Sequence, residues 1–360
     1  MATSRAFLSR GMQLLGKSGK TYELQMPCVP RRKDGLPSST WLAFDANNRA
    51  SKFIIKQPWD MMPHKVTLLR REQAFHEKLK DICIFRRLED TVPEVTLKED
   101  NSLIEPPRLV LELMEKTVWH ARWERRFTRR EIKMIIKLTL FNLREIERLG
   151  MVNTDLSMEN MMLDNHPAEP IDLPGGDRPN LIVKLAGISK LFIPQQGFGM
   201  RREYRAPEVH FNKPWGFPVH IWSWGIILTQ LLESYVDHKS RGLYAELNFL
   251  HDTSARERDE IYGSQILHDF KLDTIPYYEE LGLRRDPAHM LLPSWDQRLK
   301  MKGVRDDDLL FMRWVLNPDP TARPTWAEIW NSGWLDFGPN DAECDACVVW
   351  KLNDHVKDSM

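Results

Sequence analysis

The chain reads as an α+β protein of two lobes, a small strand-rich lobe with one helix over residues 21–117 and a larger, mainly helical lobe over 118–336. Three observations predict this. Short β-type runs with turn punctuation crowd the first third; a long helix with its own capping box opens the second; and the stretch 218–233 is apolar nearly all round, as a helix in the middle of a lobe must be. Residues 1–20 read as a flexible basic N-terminus and 337–360 as a polar tail.

Composition sets the outer bounds. With 360 residues there is room for one large domain or two ordinary ones, and 42% hydrophobic with 28% charged content is globular. Lys+Arg and Asp+Glu both number 51, so no global field argues for a nucleic acid partner. Cys28, Cys83, Cys344 and Cys347 are too scattered to staple a chain this long, which fits a reducing compartment; the lone C-x-x-C at 344–347 reads as tail thiols. No run approaches the roughly 18 apolar residues of a membrane span. The expected location is therefore cytoplasm or nucleus. The first 22 residues carry Arg5, Arg10, Lys17 and Lys20 with no acid, so they match a mitochondrial transit peptide in composition as well as a plain basic leader.

In chain order, Tyr22–Met26 opens as a strand and Arg31–Ser39 is turn-like, punctuated by Gly35 and Pro37. Thr40–Phe44 and Lys52–Lys56 read as strands around Asp45-Ala-Asn-Asn, a hairpin signal. Residues 66–80 place Leu68, Leu69, Phe75 and Leu79 among Arg, Glu and Lys, which suits an amphipathic helix. Arg108–Met114 is another strand. Thr128 and Glu131 form a capping box ahead of the stripe Ile132, Ile135, Ile136, Leu140, Leu143 and Ile146, which stops at Gly150. A second box, Thr325 to Glu328 after Pro324, starts a late helix. Between the long helix and a Met161-Met-Leu strand lies a short loop holding Asp155 and Asn160. A carboxylate and an amide five residues apart can serve phosphoryl transfer, the first accepting a hydroxyl proton and the second holding a metal ion.

With those residues in view, a resemblance appears. Ile54-Ile-Lys56, Glu72 in the next helix, Asp155 to Asn160, Val183-Lys-Leu-Ala-Gly187-Ile-Ser189, Tyr204-Arg-Ala-Pro-Glu208, Ile221-Trp-Ser223 and Arg323-Pro324 resemble, in order and spacing, the landmarks of the eukaryotic protein kinase fold. They span residue 21 to about 336. The Tyr-Arg-Ala-Pro-Glu-Val run and the Pro-Trp-Gly-Phe-Pro-Val-His-Ile-Trp after it look most like the SR-protein-kinase (CMGC) branch.

The resemblance implies a bilobal kinase fold and a role for each landmark. Lys56 would face the phosphates of ATP, held by an ion pair with Glu72. Leu111, Glu112, Leu113 and Met114 would lie in the inter-lobe strand whose backbone receives adenine, with Gly35 in the phosphate-cradling loop. Asp155 would be the catalytic base and Asn160 a ligand of Mg²⁺. Glu208 and Arg323 would form a buried pair that speaks for the fold.

Departures from the pattern bear on activity. Gly187 stands where kinases carry a metal-gripping Asp, which puts Mg²⁺ in doubt; losing even a neutral donor at such a site costs on the order of a hundred- to a thousandfold. Asp164 and Glu159 are the neighbouring acids available as substitutes. Lys33 and Gly35 fall at the usual G-x-G positions, leaving one glycine. Asn153 replaces the histidine before the Asp, His220 replaces the Asp that braces the loop, and Ser157 replaces its Lys. Thr154 replaces the Arg that would pair with an activation-segment phosphate, and only Ser189 and Tyr204 stand out there as targets, so a phosphate switch in that segment is not expected. The cluster Arg122, Arg125, Arg126, Arg129, Arg130 with Trp123 and Phe127 has RNA-binding composition but reads as a solvated face. Two functional readings follow. One is a pseudokinase, a kinase-shaped module for a protein partner with the inter-lobe cleft as a place for ATP. The other is an active Ser/Thr kinase acting on protein hydroxyls with an altered metal site.

Overall fold

A computed structural model describes residues 8–29, 38–97, 103–167, 181–197, 199–244, 253–287 and 291–336. The small lobe is built from β1 (Gln13–Leu15), β2 (Thr21–Pro27), β3 (Thr40–Asp45), β4 (Asn48–Lys56), helix α1 (Pro63–Lys78), β5 (Leu88–Val92), β6 (Val95–Thr96), β7 (Leu103–Glu105) and β8 (Arg108–Glu112). Six of these strands form one antiparallel sheet in the order β1-β2-β3-β4-β8-β5, and β6 and β7 make a separate ribbon. Leu24, Ala43, Ile55 and Val110 alternate into its inner face and are fully buried.

The expected flexible N-terminus is corrected over residues 8–20. β1 pairs with β2 from Gln13 opposite Glu23 to Leu15 opposite Thr21, and Leu8 and Leu14 join the core of Tyr22, Leu24 and Trp41. The reason is alternation: Leu14 is buried while Gln13 and Leu15 stay exposed, the pattern of a half-buried edge strand. Helix α1 also starts earlier than the apolar spacing implied, because Pro63 supplies a first-turn residue with its φ preset.

Past the hinge come β9 (Lys116–Thr117), α2 (Val118–Glu124), α3 (Arg129–Arg148), β10 (Val152–Asn153), β11 (Met161–Asp164), β12 (Ile182–Leu185), β13 (Leu191–Phe192), α4 (Pro207–His210), α5 (Pro218–Val236), α6 (Ala255–Phe270), α7 (Trp295–Met301), α8 (Asp306–Val315) and α9 (Trp326–Trp330). The Thr128–Glu131 and Thr325–Glu328 capping boxes are both formed. Helix α5 is enclosed on all sides, with Trp222 and Trp224 fully buried. At Gly225 a Cβ would lie 2.7 Å from a Leu316 methyl, so glycine lets α8 reach the α5 backbone.

Only part of the basic cluster is a solvated face: Arg126 and Trp123 are exposed, but Arg122, Arg125 and Arg129 are engaged within the lobe. Arg122 is 1% exposed and donates to the carbonyls of Ser240 and Arg241; Arg125 forks onto Glu131 at 2.6 and 2.9 Å; Arg129 forks onto Asp308 at 2.6 and 2.9 Å. These guanidinium groups hold α2 and α3 to the rest of the lobe, because a planar fork fits a carboxylate bidentately.

Candidate functional site

The cleft between the lobes gathers most of the residues singled out above. Lys56 ends β4, paired with Thr40 on one side and Leu109 on the other, so its backbone is fixed in mid-sheet. Its Nζ lies 2.7 Å from both carboxylate oxygens of Glu72, which is 1% exposed on α1. One turn further, buried His76 places Nε2 4.0 Å from the same carboxylate. Helix α1 thus stands in its inward position, and the ammonium is held at the cleft wall.

At the hinge, Leu111 and Met114 are buried. The Glu112 carboxylate meets Lys184 Nζ at 2.7 and 2.8 Å and accepts the Arg87 N–H at 3.1 Å. Burial raises its pKa, but the bonds from Lys184 and Arg87 outweigh that and the carboxyl is held below its ordinary range. The Glu112 backbone N–H bonds the Arg87 carbonyl at 3.0 Å, and its carbonyl accepts Arg86 Nε at 2.8 Å. Gly35 lies outside the described residues.

Below the hinge, the Asp155 loop is held by an exchange of partners. The Asn153 side chain accepts the Asp155 N–H at 2.9 Å and donates to the Gly187 carbonyl at 3.2 Å. Its backbone N–H donates to His220 Nε2 at 2.6 Å, and His220 Nδ1 stands 3.4 Å from Glu147 Oε1. A ring nitrogen that accepts a backbone N–H carries no proton, so the proton sits on Nδ1 toward Glu147. His220 therefore still braces the loop, as an imidazole acceptor oriented by a carboxylate. Its substitution alone is no sign of a relaxed site.

The Asp155 carboxylate is already occupied. Arg201 Nε lies 2.8 Å from Oδ1 and Lys190 Nζ 3.4 Å from Oδ2, while Arg201 also reaches Glu159 at 3.3 Å. Burial pulls the Arg201 pKa down, but Asp155 and Glu159 outweigh it and the guanidinium is held charged. Both oxygens that would take a hydroxyl proton face cations instead. Ser157 is fully buried, its hydroxyl without a hydrogen-bond partner, and Tyr204 is buried with its hydroxyl 3.3 Å from Gln230.

The space beside Gly187 is filled by Asn160. Asn160 Nδ2 donates to the Asp155 carbonyl at 2.8 Å, leaving one oxygen for any ligand. A Cβ on Gly187 would lie 2.4 Å from Asn160 Cγ, 2.6 Å from Nδ2 and 2.7 Å from Cβ, so the Asn160 side chain occupies the space a side chain at 187 would need. Neither candidate substitute faces this point. Glu159 is drawn to Arg201, and Asp164 caps the Glu115 N–H at 2.6 Å, with burial raising its pKa. Among the described residues no group of three or more His, Cys, Asp or Glu is placed to hold a metal. A Gly187→Ala protein is expected to lose roughly 1–3 kcal/mol of stability through overpacking. Urea unfolding of Gly187→Ala, Asn160→Gly and the double variant would show it as a coupling that Asn160→Gly relieves, and additive losses would refute the steric account.

Comparison with known proteins agrees with this architecture. The protein kinase domain family matches residues 44–335, so the chain belongs to the protein kinase family. It is similar to a probable dual specificity protein kinase YAK1 homolog of Encephalitozoon cuniculi, 23% identical over 60% of this chain and 52% of that protein. Homeodomain-interacting protein kinase 4 of Homo sapiens is 24% identical over 47% of this chain and 27% of its own length. Dual specificity protein kinase lkh1 of Schizosaccharomyces pombe is 27% identical over 29% of this chain and 16% of its own. These are CMGC-type kinases. The chain thus spans about half or less of the relatives it matches. Protein kinase domains generally use ATP and Mg²⁺ and act on proteins. The residues here fit that pair poorly, since the hinge carbonyl is bonded to Arg86, and the neighbouring acids Glu159 and Asp164 are engaged by Arg201 and the Glu115 N–H.

Sequence reasoning missed Arg86, Lys190 and Arg201. Each acts across a long sequence separation, and an isolated Arg or Lys is by default a surface charge. The Arg201 position just ahead of Tyr204-Arg-Ala-Pro-Glu was the one available signal, a cation where the segment passes the Asp155 loop.

Proposed function

We propose that this protein kinase domain transfers no phosphate and serves as a pseudokinase, a kinase-shaped module that engages a protein partner through its surface. The observation that carries the reading is the Asp155 carboxylate held between Arg201 and Lys190. A substrate hydroxyl must displace a cation from a partly buried carboxylate before it can lose a proton, and charge-assisted bonds of this kind are the strong ones. The Asn160–Gly187 packing supports the same conclusion from the metal side. The intact Lys56–Glu72 pair favours the alternative, an ATP-dependent Ser/Thr kinase in which substrate draws Arg201 away.

Mass spectrometry of the purified protein after incubation with ATP and Mg²⁺ or Mn²⁺, wild type beside Asp155→Asn, tests the proposal. The expected result is no phosphate gained in either. Phosphate present in wild type and absent in Asp155→Asn would establish the alternative.

A further inference from the structure

We propose that Arg86 fills the place of the purine in the inter-lobe cleft, so that the hinge of this chain is closed to adenine by one of its own side chains. The inference rests on reading the cleft as the family's nucleotide site, but not on Asp155.

The backbone fixes where Arg86 stands. Leu185 donates its N–H to the Ile84 carbonyl and accepts the Arg86 N–H, both at 2.9 Å, and Phe85 bridges Leu185. One residue on, the Arg87 carbonyl accepts the Glu112 N–H, and the β5–β8 ladder begins at Leu88 opposite Leu111. Arg86 is therefore pinned between β12, which runs into Gly187, and the hinge.

Along a strand the N–H and C=O of one residue point to the same edge. Glu112 spends its N–H on Arg87, so its carbonyl is the first acceptor beyond the end of the ladder. That is the kind of hinge carbonyl an adenine amino group needs. Here Arg86 Nε donates to it at 2.8 Å.

The surroundings suit a resident cation. Burial pushes the Arg86 pKa down, while the carboxylates of Glu72 on α1, Glu112 at the hinge and Asp164 at the end of β11 act to keep the proton on. A guanidinium is planar, charged at every working pH and rich in donors, so it presents a flat ring-like face and an N–H to the hinge, as a purine edge does. To bind, adenine must expel it. The expelled charge leaves a charge-assisted bond behind, which opposes binding beyond any steric cost.

Adenosine is the appropriate ligand for the test, because Lys56 can attract the phosphates of ATP whether or not the purine place is open. Its binding is measured by calorimetry on wild type, Arg86→Ala and Arg86→Met, the last keeping the stem without the donor. Removing the guanidinium is expected to tighten adenosine binding by roughly 10- to 100-fold. Wild type binding adenosine as tightly as both variants would overturn the proposal. Should neither variant fold, hydrogen exchange of the wild-type hinge amides decides: millimolar adenosine leaving Leu113 and Met114 unchanged supports the plug, and protection of them refutes it. Incubating Arg86→Met with Mg-ATP separates the two claims. Phosphate transfer by that variant but not by wild type would show the Asp155 loop competent, overturning the ground on which the silent-kinase reading rests, while bearing out the role of Arg86.

Discussion

Acidifying the protein from pH 7 to pH 4 is expected to destabilise it by several kcal/mol, because buried histidines must take up protons the fold cannot accommodate. His76 is 2% exposed, and burial, assisted by Lys56 and Arg86 and opposed by Glu72, lowers its pKa from 6.5 to about 4. Burial and then Arg205 lower His210 to about 4, and burial and then Arg125 lower His166 against Glu131. In each case the folded pKa lies below the unfolded one. The stability these groups contribute is complete above about pH 6.5, is lost as pH falls toward 4, and changes little further below that. For His76 a shift of this size corresponds to roughly 3 kcal/mol, against a typical total of about 5–15 kcal/mol. Thermal unfolding at half-unit steps from pH 7.5 to 4.5 checks it. A midpoint flat over that range would contradict the burial account, and His76→Gln should flatten part of the slope. Protonated His76 would also set a second cation beside Glu72, so the Lys56–Glu72 pair and the inward position of α1 should weaken over the same range.

Much of the architecture was legible because it rests on local rules. Capping boxes, the α3 stripe and the hairpin at Asp45 each announce themselves within a dozen residues. Helices α6 and α7 carried the same kind of signal in Ser254–Glu257 and Ser294–Gln297, which form complete boxes and were readable in principle. What stayed hidden are the partners of charged side chains. Sequence shows that Asp155, Asn160 and Gly187 sit at kinase positions; it does not show that Arg201 covers the first, or that the second fills the space beside the third. His220 misled in the other direction. Read as the replacement of a bracing carboxylate, it counted among the departures from the pattern, whereas its ring nitrogen accepts a backbone N–H and holds the loop. Hydrogen-bond capacity, not charge, is what that position supplies to the loop.

Arg323→Ala is expected to cost about 3–5 kcal/mol, the usual loss when one partner of a buried ion pair is removed. Arg323 and Glu208 are 0% and 1% exposed and meet at 2.8 and 3.1 Å. The guanidinium also donates to the Pro218 carbonyl at 2.8 Å and the Asn317 carbonyl at 2.9 Å, and lies over the Trp222 ring. Arg323→Lys should recover only a fraction, since an ammonium cannot span these acceptors as a fork does. Replacing both partners by leucine should cost less than Arg323→Ala, because no uncompensated charge is left inside. Urea midpoints for the three variants test this, and a loss under about 1 kcal/mol for Arg323→Ala would show the pair is not structural. The pair secures α4 against the start of α5, and the segment leading into α4 carries Arg201 to Asp155. Loosening it should therefore free the Asp155 carboxylate as well as lower stability. The stability loss and the release of Arg201 from Asp155 are thus expected to appear together in Arg323→Ala.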